Sequence, residues 1–287
     1  MKIKINNNIL LLICIFFITL ILFFISISPI FLINPKGIIS ILEKKLIITS
    51  IMLMLIIITP VLFMTIFFFN KYNYKKTNKY NPNWCNSKKI EFLIWIIPII
   101  IIFILSLITL KTTYILDPYK PIINSNKSIE IEVISLDWKW LFIYPKENCA
   151  TINEIAFPKD VPINFKITSN SVMNSFFIPK LGSQIYAMAG MQSKLHLISN
   201  ESGNYEGFSS SFSGKGFSNM KFNVIVTKNN DEFYKWINLI KKSKNTILNN
   251  EEFNYINKQS ENNPIQYFSK IKNNLFKEII LKYINKN

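Results

Sequence analysis

Three hydrophobic patterns divide the chain. Over residues 9–33, 46–69 and 90–110 the apolar positions run almost without interruption. From about 128 to 227 they alternate with polar ones in short runs: IEIEV at 129–133, INFKIT at 163–168 and MKFNVIV at 220–226. After that they recur at helical spacing, first as Phe233, Trp236, Ile237 and Ile240, then as Leu275, Phe276, Ile279, Ile280 and Tyr283.

Each pattern implies an element. A helix rises about 1.5 Å per residue, so about 20 apolar residues cross a hydrocarbon layer about 30 Å thick. Residues 46–69 and 90–110 are long enough to be transmembrane helices. Pro60 and Pro98 inside them are tolerable where neighbouring groups re-satisfy the backbone. Alternation with period two, punctuated by Pro, Asn, Ser and Gly, predicts an antiparallel β-sandwich or barrel, and about 100 residues suit one such domain. Asp231 and Glu232 stand in the expected first turn of a C-terminal amphipathic helix.

Residues 1–33 read in two ways. Lys2 and Lys4, the apolar run and the small residues Ser26 and Ser28 have the order of a signal peptide, and the run is also long enough to span if it is never cut. The expected division is therefore 1–33 as a signal-like or uncleaved segment and 34–110 as a two-helix hairpin. Residues 111–228 form a β-domain, and residues 229–287 a helical, aromatic-rich extension.

Charge orients the hairpin. The formal net charge is +16, all of the cations are lysine, and six of them (71, 75, 76, 79, 88 and 89) lie in or beside the loop 70–89, which holds no acid. The positive-inside rule puts that loop in the cytoplasm and everything after Leu110 outside. Tyr72, Tyr74, Tyr80, Trp84 and Trp95 suit the interfacial belt. With no arginine for bidentate phosphate recognition, the charge argues against nucleic acid. Cys14, Cys85 and Cys149 share no pairing or metal-ligand spacing. His196 is the only histidine, so a haem or copper site built on several imidazoles cannot come from this chain alone.

Several stretches carry a resemblance. DWKW (137–140), the block NEIAFPKDVPINFKITSNSVMNSFFIPKLGSQIYAMAGM (153–191) and FSGKGFSNMKF (212–222) closely resemble subunit 2 of the bacterial bo-type ubiquinol oxidases, within the haem-copper oxidase subunit 2 family. NPKG (34–37), YNPNW (80–84) and LKTTYILDPYKPI (110–122) extend it, so that it covers nearly everything from Asn34 to Tyr283. The resemblance implies an α+β membrane protein: a transmembrane hairpin, then a cupredoxin-like Greek-key β-domain facing the periplasm, then amphipathic helices. It also implies an inner-membrane complex in which ubiquinol reduces oxygen. The haems and copper then belong to subunit 1, with further small membrane subunits as partners.

The wider family includes cytochrome c oxidase subunits that hold a dinuclear copper-A centre. Its ligands are a histidine in an early His-Ser-aromatic motif and a loop supplying Cys, a Glu carbonyl, Cys, His and Met. Carried onto this chain, those positions are Asn174, then Ser209, Ser211, Ser213, Phe217 and Met220. The spacing is kept and the thiolates and imidazoles are gone. Serine hydroxyls suit soft copper poorly, and one thioether does not hold two ions. The resemblance thus implies no metal here, no cytochrome c partner and no catalytic residue in this chain.

Trp138 and Trp140 match the family's aromatic motif near the cytochrome c entry point and are read as packing. Glu91, before Trp95 and Pro98, matches a glutamate at the mouth of a proton-uptake pathway; a solvated interfacial carboxylate is the plainer reading. Many relatives carry a lipidated cysteine before the NPKG-like segment. That position here is Ser28, and Cys14 follows Ile13, so no lipidation is expected. Two other readings compete with an oxidase subunit lacking its own redox centre: a copper-A electron carrier, and a membrane-anchored binding or copper-delivery module. The missing ligands and the scarcity of His and Cys count against both.

Overall fold

The computed structural model describes residues 34–72, 87–122, 124 and 126–284. The signal-like segment, with Cys14 and Ser28, lies outside these residues. So does most of the basic loop, with Tyr74, Tyr80, Trp84 and Cys85.

Two long helices come first. α1 spans Ile38–Lys71 and α2 spans Lys88–Ile115. Their apolar windows have mean hydropathies of 2.7 and 3.0, and none of either window is buried inside the chain. Their side chains require an apolar medium or a partner, as membrane-spanning helices do. With 34 and 28 residues, the helices measure about 51 and 42 Å. Both exceed the hydrocarbon thickness, so helix continues beyond the apolar run.

The extra turns of α1 are held by the β-domain. The Ser40 hydroxyl accepts from the Gly37 N–H at 3.1 Å, capping the helix start, and donates to the Lys180 carbonyl at 2.8 Å. Lys36 N–H donates to Lys180 O at 2.7 Å, Asn200 N–H donates to Lys36 O at 2.8 Å, and the Lys36 ammonium pairs with Glu201. One turn further, Ser183 donates to Glu43. A Cβ on Gly37 would lie 2.5 Å from Leu181 O and 2.8 Å from Ile198 O. The NPKG stretch is therefore a joint between α1 and two loops of the β-domain, and only glycine fits at its last position.

The β-domain has two sheets. β1 (Ile129–Leu136), β2 (Lys139–Tyr144), β3 (Cys149–Ile152), β5 (Ile163–Ser169), β8 (Ser193–Leu197) and β11 (Gln266–Phe268) form one, in the order β11-β3-β2-β1-β5-β8. The other runs β4-β10-β9-β6-β7, built from β4 (Glu154–Pro158), β10 (Lys221–Thr227), β9 (Gly203–Ser209), β6 (Asn174–Phe177) and β7 (Ile185–Ala187). This is the expected cupredoxin-like sandwich, with one correction. The sheets are mixed, because β1 pairs with β5 and β4 with β10 in parallel. The chain leaves the first sheet after β3, makes β4 in the second, and returns as β5 beside β1. Alternation encodes the two faces of a strand, not the direction of its neighbour.

The C-terminal extension contains α3 (Asn230–Lys241), α4 (Asn250–Asn257), β11 and α5 (Leu275–Ile284). Asn229 caps α3 by accepting from Glu232 N–H at 3.0 Å. Neither α4 nor β11 was foreseen from the hydrophobic pattern, and β11 adds a strand to the edge at β3. This explains why β2, β3 and β4 are buried at every position. Trp140, Phe142 and Tyr144 point into the core between the sheets. Leu141 and Ile143 point the other way, under Phe253, Phe268, Leu275, Phe276 and Ile279 of the extension. One face of the first sheet belongs to the sandwich and the other to the extension.

Candidate functional site

The positions matching the copper-A ligands gather where β6 begins and β9 ends. These strands are neighbours, with Phe176 opposite Ser209. Asn174 and Ser209 are buried, and the Ser209 hydroxyl donates to Asn174 Oδ1 at 3.1 Å. The Ser211 carbonyl, 3.3 Å away, is its alternative acceptor. Asn174 Nδ2 donates to Val172 O at 3.2 Å. An amide–hydroxyl hydrogen bond thus joins the two strands where a histidine and a cysteine would meet.

The loop then turns back through a short 3-10 turn at Phe217–Asn219. Ser209 N–H donates to Met220 O and Met220 N–H to Phe217 O, each at 3.1 Å. The Met220 side chain is 1% exposed and belongs to the core between the sheets. Phe217 packs edge-on against Phe212 with centroids 5.7 Å apart, and Phe212 projects into solvent. The Ser213 hydroxyl is enclosed and has no partner among the described residues. What the fold brings together is therefore an amide, hydroxyls, a phenyl ring and a buried thioether. This donor set does not match the ligand preferences of soft copper.

Trp138 and Trp140 both pack, as expected: Trp140 is wholly buried, and Trp138, partly buried, packs against the same core. Trp138 also covers the loop. Its backbone is left-handed at φ 60°, and its indole N–H donates to Ser213 O at 3.1 Å. A Cβ on Gly216 would sit 2.5 Å from the indole ring, and Gly214, at φ +112°, borders the same ring. The two glycines around Lys215 in FSGKGF were the available signal, because paired glycines mark a close approach. Ser175 and Ser210 both donate to Gln184 Oε1, tying the loop to β7 as well.

A second buried constellation fastens the extension. Glu154 is 6% exposed, and its Oε1 accepts from the Tyr267 hydroxyl at 2.6 Å and from Trp236 Nε1 at 3.1 Å. Burial, and then the hydrogen bond to this carboxylate, hold the Tyr267 hydroxyl well above its usual range. Lys139 is also buried; its ammonium donates to Lys258 O at 3.0 Å and to Ser260 Oγ at 2.5 Å. Desolvation pushes its pKa down.

Glu91 stands apart from all of this. It is exposed in the first turn of α2, where its charge favours the helix dipole, and Trp95 lies one turn on. About 36 Å of helix separates it from Ile115, where the chain enters the β-domain.

Two family models match the chain: "Cytochrome C oxidase subunit II, periplasmic domain" over residues 129–228, and "COX Aromatic Rich Motif" over 241–287. The first covers the sandwich and the second most of the extension. Several curated relatives are named cytochrome bo(3) ubiquinol oxidase subunit 2. The chain is 53% identical to that of Buchnera aphidicola subsp. Schizaphis graminum, over 89% of each chain. It is 51% identical to that of Buchnera aphidicola subsp. Baizongia pistaciae, over 91% of this chain and 94% of the relative. For Pseudomonas aeruginosa the figures are 50%, 88% and 76%. With the two apolar helices, the sandwich and its aromatic-rich extension all accounted for, the chain belongs to the family of subunit 2 of the cytochrome bo(3) ubiquinol oxidases, membrane-bound terminal oxidase complexes.

Proposed function

We propose that this chain is the non-catalytic subunit 2 of a proton-translocating ubiquinol oxidase, with no redox centre of its own. It supports subunit 1, which carries the haems and copper, and covers that subunit's periplasmic face. The observation that carries this reading is the Ser209–Asn174 hydrogen bond, which occupies the place of two copper ligands in a loop of unchanged spacing. Without copper-A the complex has no entry for electrons from cytochrome c, and lipid-dissolved ubiquinol is the donor. The basic loop orients the hairpin in the inner membrane with the C-terminal domain in the periplasm.

The test is purification of the complex from membranes with this chain tagged. The expected result is copurifying haem-bearing subunits, ubiquinol oxidation coupled to oxygen uptake, no turnover with reduced cytochrome c, and no copper beyond that of subunit 1. Cytochrome c turnover, or a purple copper absorption from this chain, would overturn the proposal. Recovery of the chain without any haem protein would favour a free-standing binding module.

Glu91 is assigned here to the mouth of a proton-uptake pathway into subunit 1. An ionisable group at the end of a spanning helix, in its first turn, supports that role. Glu91→Ala is expected to slow oxygen reduction while the complex still assembles. Unchanged turnover and pumping would refute it.

A further inference from the structure

Between the first sheet and the C-terminal extension lies a pocket of about 280 Å³ whose lining carries two cations and no acid. The cations are Lys139, at the start of β2, and Lys258, just after α4. Ile152, Ile256 and the Tyr255 ring supply apolar wall. Gln266 adds an amide from β11, where it stands opposite Ile152 of β3.

Lys139 is the member that needs explaining, because it is only 4% exposed. An ammonium has three N–H donors. Two of them reach neutral oxygens, Lys258 O at 3.0 Å and Ser260 Oγ at 2.5 Å. Lys139 forms no ion pair with any described residue. Two acids on neighbouring turns are engaged elsewhere: Asp137 accepts from Gln259 Nε2 at 2.9 Å, and Glu261 pairs with Lys215 at 3.3 Å. A buried charge is ordinarily matched by an opposite charge as well as by hydrogen bonds. Among the described residues Lys139 has the hydrogen bonds and not the charge. Desolvation, offset only in part by Asp137, accordingly lowers its pKa.

The lining decides the kind of anion. One buried ammonium, with the exposed Lys258 at the rim, balances a single negative charge. The Lys258 ammonium lies 5.7 Å from the centre of the Tyr255 ring, so charge and apolar wall are side by side. Hydrocarbon complements that wall, and an inorganic oxyanion has none to offer. Pockets for drug-sized ligands measure about 300–1,000 Å³, so this one suits a smaller molecule. We propose that the pocket binds a small monocarboxylate, with its carboxylate on Lys139 and its short apolar tail against Ile152, Ile256 and the Tyr255 ring. The site is built from the first sheet and the extension alone, so it does not rest on the quinol reading.

The test is hydrogen exchange of the intact membrane complex at constant ionic strength, with butyrate, acetate, phosphate or chloride titrated in. A ligand that binds only the closed state raises protection about tenfold at about ten times its Kd. Amides of residues 255–268 are expected to gain that protection from butyrate, saturably, less from acetate at equal concentration, and none from phosphate or chloride. Lys139→Met keeps the apolar stem, removes the charge and is expected to abolish the gain. Lys258→Gln, in an exposed side chain, is expected to weaken butyrate binding severalfold, and it decides the matter if Lys139→Met does not assemble. Absence of a saturable gain with butyrate would overturn the proposal. So would an equal gain from phosphate or chloride, an undiminished gain in Lys139→Met, or unchanged binding in Lys258→Gln.

Discussion

Tyr267→Phe isolates one hydrogen bond between the extension and the sandwich. The ring stays, so its edge-on packing with Trp236, at 6.5 Å between centroids, is kept. Only the hydroxyl at 2.6 Å from Glu154 Oε1 is lost. A hydrogen bond to a charged acceptor contributes about 1.5–3 kcal/mol, and its loss leaves a buried carboxylate held by Trp236 alone. With about 2 kcal/mol removed, local opening of the extension becomes about 30-fold more frequent. Hydrogen exchange of the intact complex reads this directly. Amides of β11 and α3 should lose about 30-fold in protection while β9 and β10 keep theirs. Unchanged protection in β11 would refute the energetic role of the contact. Equal losses throughout the sandwich would show that it is not a local clamp. The pH dependence follows from the raised hydroxyl. The folded state holds this proton more tightly than the unfolded chain does, so the stabilisation is complete below about pH 10 and is lost as pH rises further. The difference between wild type and Tyr267→Phe should therefore narrow above about pH 10.

Other consequences are as concrete. Gly216→Ala drives a methyl into the Trp138 ring and should cost about 1–3 kcal/mol, seen as a shifted Trp138 fluorescence environment and a loop more open to proteolysis. Met220→Leu should cost under about 1.5 kcal/mol and leave turnover unchanged, because the Met220 side chain is part of the buried core; loss of activity with intact assembly would contradict the proposal that it holds no metal. The Cys149 thiol is buried, with its pKa pushed up to about 12 by desolvation. At pH 8 about one in 10⁴ is thiolate, so peptide mapping after alkylation should find Cys149 unlabelled until the chain is denatured. Ser209→Ala leaves Asn174 Oδ1 without its donor and should cost about 1–3 kcal/mol, measured as lower thermal stability of the complex with the same quinol turnover when intact.

Much of this molecule was legible along the chain, and the failures have physical reasons. The uninterrupted apolar runs marked α1 and α2, since a lipid-facing helix declares itself by composition. Their true ends did not, because the turns from Ile38 to Lys45 are held by partners about 140 residues away, such as Lys180 and Ser183. IEIEV, INFKIT and MKFNVIV announced β1, β5 and β10, but nothing local in them states that β1 and β5 run in the same direction. β2 escaped the alternation rule because both of its faces are covered. α4 and β11 were missed for a related reason: short segments in an asparagine-rich background acquire their form from the sheet they cover. At the candidate site, residue types and spacing were readable as a set of positions, whereas the Asn174–Ser209 bond and the Trp138 cover required coordinates.

The joint at Lys36, Gly37 and Ser40 bears on how the chain is made. Lys36 and Glu201 are 165 residues apart, and Ser40 and Lys180 are 140 apart. Neither contact can form until the hairpin has been inserted and most of the β-domain has crossed the membrane. Contacts of such long range close late, after local structure exists. A chain in which only one of the two helices spanned would leave the first residues of α1 and the loops at 180 and 200 on opposite sides of the bilayer. The joint is therefore completed only when both helices have inserted and both halves of the chain have reached the same side of the bilayer.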